Sequence, residues 1–177
     1  MEILDPESHQ IREVYAHFGL AIYLAQCVEQ AIIQNLIFFD LYPTAVNSNQ
    51  DNKTWSDRFD KFEATEMKLT MGKLIKRLKN AGETTEAIEL KLDEVVSNRN
   101  WLSHGYFNDR ALDFTFEDGR TKMISELEVI QTLFREVDKM ISEVTMPVAR
   151  RYGLTEEMLD QMKSDMLTEH KLKSARS

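Results

Sequence analysis

An all-α, up-and-down helical bundle is the fold class this sequence predicts, and three observations predict it. Helix breakers are scarce, with six glycines and three prolines in 177 residues. Apolar residues recur every three or four positions through the long runs 7–40 and 125–147, the spacing that puts them on one face of a helix. Serine or threonine stands before several of the runs, where a side-chain oxygen can cap the first backbone N–H groups. A single domain over 1–170 is expected, followed by a polar tail, 171–177, expected to be disordered. One segment breaks the helical pattern. Leu112 to Phe116 alternates with period two and is followed by Asp118-Gly119, so a small β-hairpin is expected near 112–124.

The first helix runs from about residue 7 to 40. Ile11, Tyr15, Phe18, Ile22, Ala25, Ile32 and Leu36 form one stripe, and Val14, Ala21, Val28, Ala31 and Asn35 a second beside it. Such a helix is buried on more than one side. Glu29 falls on the first stripe. It is either an edge carboxylate reaching solvent or a partly buried acid paired with Arg99 or His104. Tyr42-Pro43 is expected to end the helix, with a loop over 43–53. Thr54-x-x-Asp57 opens a short helix with Trp55, Phe59 and Phe62 on one face. Thr70 opens another through Leu78, with Met71, Leu74, Ile75 and Leu78 inward. Lys73, Lys76, Arg77 and Lys79 lie on its outer face, as a solvated surface or a track for an RNA backbone.

Asn80 to Glu83 reads as a turn, and Thr84 or Thr85 caps a central helix reaching about Tyr106. After the expected hairpin, Ser125 caps a helix with the most regular stripe of all: Leu127, Ile130, Phe134, Val137, Ile141, Val144 and Val148. Pro147 kinks or ends it. Thr155 caps a last short helix with Met158, Met162 and Met166 inward.

Composition narrows the function classes. A formal net charge of −8 argues against a sequence-independent nucleic-acid coat, which would be basic, while leaving room for a small cationic site. The single Cys27 allows no internal disulfide and no cysteine-based zinc site; in an apolar helical run it reads as a small core residue. No His-Glu-x-x-His, Glu-x-x-His, phosphate-binding glycine loop or Gly-x-Ser-x-Gly occurs, and His9, His17 and His170 carry no motif. No metal and no cofactor is therefore expected. Met-Glu-Ile-Leu-Asp at the start does not resemble a signal peptide. The least polar run, Ala31 to Phe39, is short for a bilayer. A cytoplasmic protein that does not engage a membrane is expected.

The chemistry concentrates in Ser97 to Phe107. The apolar stripe Ile88, Leu92, Val95 steps at the same spacing to Arg99, then Leu102 and Tyr106. A permanent cation thus stands where an apolar residue belongs, and it needs a carboxylate, carbonyls or a phosphate. At about 100° per residue, Arg99, Ser103 and Tyr106 share a face, and His104 lies about 140° away from Arg99. Two readings follow. Arg99 is a structural ion-pair residue and His104 a helix-end histidine favoured by the dipole, or a two-fold dimer brings Arg and His from two chains into one cleft. The residue types suit chemistry at a phosphate. An imidazole exchanges protons near neutrality. A guanidinium clamps two phosphate oxygens. Asn100 can donate to the phosphate or orient the imidazole.

Arg99-Asn100-Trp101-Leu102-Ser103-His104, with Tyr106 after it, resembles the Arg-x4-His-x-Tyr motif of the HEPN superfamily. The form with tyrosine is typical of HEPN toxins paired with minimal nucleotidyltransferases. The helix-1 acid in Gln26 to Ala31 and the Thr70 to Leu74 segment agree with that context. The resemblance implies a HEPN-type bundle and a metal-independent endoribonuclease leaving 2′,3′-cyclic phosphate, as a toxin or defence component. It implies a symmetric homodimer in which Arg99, His104 and Asn100 act on RNA, supported by Glu29 and Ser103. It also implies that Tyr106 can receive AMP from a nucleotidyltransferase antitoxin; as the continuation of the Leu92, Val95 and Leu102 stripe, Tyr106 also reads as a core tyrosine closing the helix. Two other expectations stand beside it: a non-catalytic HEPN dimer binding a nucleotide or protein partner, and a structural helical-bundle adaptor.

Overall fold

The computed structural model describes residues 5–46, 52–80 and 85–174. Among the described residues every regular element is helical. The order is α1 (Pro6–Leu36), a π-helical turn (Ile37–Leu41), α2 (Tyr42–Val46), α3 (Asn52–Glu66), α4 (Met71–Asn80), α5 (Glu86–His104), α6 (Tyr106–Asp109), α7 (Ala111–Thr115), α8 (Glu117–Arg151) and α9 (Glu156–Ser174).

The start of α1 is fixed locally. Asp5 accepts the backbone N–H of Ser8 at 3.0 Å, and Pro6 occupies a first-turn position that needs no N–H donor. Its apolar stripes then bury Val14, Ala21, Val28 and Ile32 completely. Three hydrogen bonds set the pairing with α8. Gln10 Nε2 donates to Thr121 Oγ1 at 2.9 Å, Gln131 Nε2 to the His17 carbonyl at 3.0 Å, and Asn35 Nδ2 to Thr145 Oγ1 at 2.9 Å. Both chains climb together, so α1 and α8 are parallel. α5 runs against both: Tyr106 lies beside Phe18 and Arg99 beside Glu29, while Lys91 meets Glu136 and Tyr106 reaches Met123. The long helices thus go up, down and up, with α2 to α4 between the first two. Phe134, Leu127, Val137, Leu92 and Val95 close the centre with no exposed surface. Each such side chain contributes about 1.5–3 kcal/mol by leaving water.

The expected β-hairpin near 112–124 is absent: the segment is α7 and the first turns of α8. Asp118-Gly119 is not a turn but a close approach. A Cβ on Gly119 would run into the backbone of Asp113, so glycine lets the end of α7 lie against the start of α8. The reversal happens at Phe116, the extended residue between them (φ −114°, ψ 150°). Arg120, only 4% exposed, locks the corner. It donates to the carbonyls of Phe114 and Thr115 at 3.1 and 3.2 Å and to Gln10 Oε1 at 2.7 Å. Period-two spacing in so short a segment could not reveal that its carbonyls would be met by a buried guanidinium.

Other boundaries move as well. α8 begins at Glu117, before the expected cap Ser125, and continues through Pro147 to Arg151. The chain does not stop at Tyr42-Pro43 but passes through the π-helical turn into α2. The expected loop over 43–53 is helical at both ends, and its residues 47–51 lie outside the described residues. So does most of the expected turn at 80–83. The cap of α5 is Thr85, whose hydroxyl accepts the Ile88 N–H. The expected tail 171–177 is helical through Ser174, the rest lying outside the described residues. Thr155 does cap α9, accepting the Met158 N–H at 3.2 Å. Met158, Met162 and Met166, however, are 51%, 53% and 70% exposed rather than inward.

Pro6–Thr44 is long and apolar enough to cross a membrane by length and composition, a longer stretch than Ala31 to Phe39 suggested. Half of its most apolar window is buried inside the bundle.

Candidate functional site

α5 carries the site. Ile88, Leu92, Val95 and Leu102 anchor its inner face, which leaves Arg99 at the seam with α1. The guanidinium lies 3.4 Å from Glu29 Oε1, with 31% of the Arg99 side chain and 22% of the Glu29 side chain exposed. A second nitrogen donates to Asn100 Oδ1 at 3.4 Å. The misplaced cation of the stripe therefore has its carboxylate, in a half-buried pair with one side open to solvent. Burial pushes the Glu29 carboxyl above its ordinary value, and the Arg99 charge and hydrogen bond pull the other way.

His104 is the last residue of α5, and Gly105 follows with φ −131°, ending the helix. The corner is firmly held. Trp101 Nε1 donates to Asp109 Oδ2 at 2.8 Å. Arg110 grips Glu126 with two nitrogens at 2.9 and 2.6 Å and lies over the Trp101 ring at 4.9 Å. This fork geometry is the stronger kind of ion pair. The exposed Asn100, Ser103 and His104 thus project from a fixed helix end. No hydrogen bond or ion pair joins Arg99 to His104 within the chain. They point apart, as the helix angle requires.

Tyr106 takes the core position that closes the apolar stripe, rather than that of an open phenol. It is 1% exposed, donates to the Met123 carbonyl at 3.2 Å and packs against Trp101, Phe18 and Phe107. Burial above all, with the Glu126 charge next, holds its hydroxyl strongly in the protonated form. The folded chain presents no Tyr106 oxygen to an incoming nucleotide. The basic face of α4 is also partly spoken for. Arg77 pairs with Asp40 at 2.5 Å and with the buried Glu66, and Lys79 pairs with Asp93 at 2.8 Å. Lys73 and Lys76 remain at the surface.

Beside the Arg99–Glu29 pair lies a cleft of about 600 Å³ between α1, the α3–α4 turn and α8, with Glu29 in its wall. Asp138 of α8 lines the same cleft, and burial pushes its carboxyl above its ordinary value. Sequence reasoning missed Asp138. The signal was present: it sits four residues after Phe134 and three before Ile141, so an acid borders the core stripe of α8 as Glu29 does on α1. Among the described residues, no three His, Cys, Asp or Glu side chains gather as a metal-binding set. No family model, no curated protein and no solved structure matches the chain.

Proposed function

We propose that this chain is a HEPN-type, metal-independent endoribonuclease, a cytoplasmic toxin or defence component that acts on single-stranded RNA as a homodimer. The observation that carries the reading is the Arg99–Glu29 pair at the mouth of a cleft, with Asn100, Ser103 and His104 exposed on the same helix end. A phosphate approaching Arg99 can replace one contact of a half-open ion pair, which costs less than uncovering a buried one. Glu29 then holds the guanidinium in position rather than neutralising it completely. His104 points away from its own Arg99, so the composite site uses His104 of one chain with Arg99 of a second copy around a two-fold axis. The imidazole exchanges the 2′-hydroxyl and leaving-group protons, and Arg99 and Asn100 stabilise the phosphorane.

The test is cleavage of a labelled single-stranded RNA in EDTA, with the product ends identified by mass. The reading predicts 2′,3′-cyclic phosphate from wild type and a loss on the order of 10²–10⁴-fold in His104→Ala and in Arg99→Ala. Cleavage unchanged in His104→Ala contradicts it. A second reading is favoured by the partner Arg99 already has: a non-catalytic dimer holding a nucleotide or protein at the same pair. Nucleotide binding that requires Arg99, without cleavage by wild type, selects that reading.

A further inference from the structure

We infer that the cleft beside Arg99 and Glu29 is a base-reading subsite, taking a nucleobase with an exocyclic amine and presenting it to Asp138. This rests on the ribonuclease reading and deepens it by naming the substrate feature that the same site would select.

The geometry sets the position. Glu29 belongs both to the cleft wall and to the ion pair, its carboxylate oxygen 3.4 Å from the Arg99 guanidinium. A phosphate held by Arg99 therefore has the cleft one side chain away, within the reach of its own nucleotide. The volume, about 600 Å³, falls in the range of small-ligand sites and admits a base with its ribose.

The lining supplies the chemistry. Tyr23 and Met67, both in the wall, are 60% and 58% exposed. Neither packs into the core, and together they offer an aromatic face and a polarizable thioether for a flat ring. Gln26 and Gln30 line the cleft from α1, and their side-chain amides form no hydrogen bond among the described residues. Asp138 is half-buried and makes no hydrogen bond or ion pair among the described residues. A carboxylate partly shielded from water without a partner is less favourable than a solvated one, and burial pushes the Asp138 carboxyl upward. An N–H donor from a ligand relieves it. Ionised aspartate only accepts, so facing the exocyclic position of the ring it bonds the amine of cytosine or adenine and opposes the O4 carbonyl of uracil, whose N3–H it meets only when the ring shifts in the cleft.

The experiment measures binding of fluorescent rC12, rA12 and rU12 to full-length His104→Ala protein by anisotropy, and cleavage of the same three by wild type. The inference predicts that rC12 or rA12 is bound and cleaved on the order of tenfold better than rU12. Asp138→Asn, whose amide can face a carbonyl, should bring the three within about twofold of one another. Tyr23→Ala should weaken all three about equally, on the order of tenfold, by removing a stacking face. Cleavage by wild type with no preference, or a preference that survives Asp138→Asn, overturns the subsite and leaves the ribonuclease standing. Absence of both binding and cleavage with all three overturns the two together. Binding with base preference but no cleavage retains the subsite and removes the ribonuclease.

Discussion

Glu29 and Asp138 are two carboxyls at the rim of the core with opposite circumstances. Glu29 has a cation at 3.4 Å. Removing it leaves a half-buried guanidinium without its partner. Glu29→Ala should cost about 2 kcal/mol, between the ~1 kcal/mol of an exposed pair and the ~3–5 kcal/mol of a fully buried one. Urea denaturation of the single variant reads this directly. Asp138 has no partner, and its folded carboxyl binds a proton more tightly than the unfolded one does. The folded state then holds more protons in the window between the two pKa values, so Asp138's contribution to stability falls as pH rises through it. Asp138→Asn should raise Tm at pH 7. The gain should vanish at low pH, where wild type is protonated folded and unfolded alike. A Tm gain of equal size at both pH values would show that the carboxyl's charge is not the cause. Tyr106→Phe should cost about 1 kcal/mol for the lost bond to the Met123 carbonyl. Nucleotide transfer to wild-type Tyr106 should proceed only as fast as the corner between α5 and α6 opens, which mild denaturant should accelerate.

Among the elements, those legible in the sequence were the ones whose periodicity is long. α1, α4, α5 and α8 each repeat an apolar stripe often enough that one exception, such as Arg99 or Glu29, stands out as an exception. The Arg99–Glu29 pair was legible only as one of two readings, because a glutamate on a stripe can also reach solvent from its edge; the 3.4 Å contact selects the pair. The corner at 112–124 was not, because its decisive interactions are tertiary. Gly119 is required by the backbone of α7, and Arg120 by carbonyls and by Gln10 on α1. Gly119→Ala should therefore destabilise by about 1–3 kcal/mol through overpacking, where an exposed helical glycine would gain from the same change. Thermal melts comparing Gly119→Ala with Gly72→Ala, whose added Cβ meets nothing within 4 Å, separate the two cases. α9 was misread for a different reason. Its methionines keep helical spacing, and periodicity gives a helix its apolar side without saying whether anything covers it.

For the molecule as a whole, Arg99 and His104 were found as residues, but spacing could not join them, and one chain does not join them either. The proposed ribonuclease joins them between two copies, at a small cationic site rather than a basic surface, in keeping with the net charge of −8. The most direct measurement mixes two inactive proteins. Arg99→Ala and His104→Ala chains, combined in equal amounts and allowed to exchange subunits, form dimers of which half are mixed. One of the two composite sites in each mixed dimer regains an intact Arg99 and an intact His104, so RNA cleavage should recover to about one quarter of the wild-type rate. No recovery, in a mixture shown by mass spectrometry to contain mixed dimers, contradicts a site built from two chains.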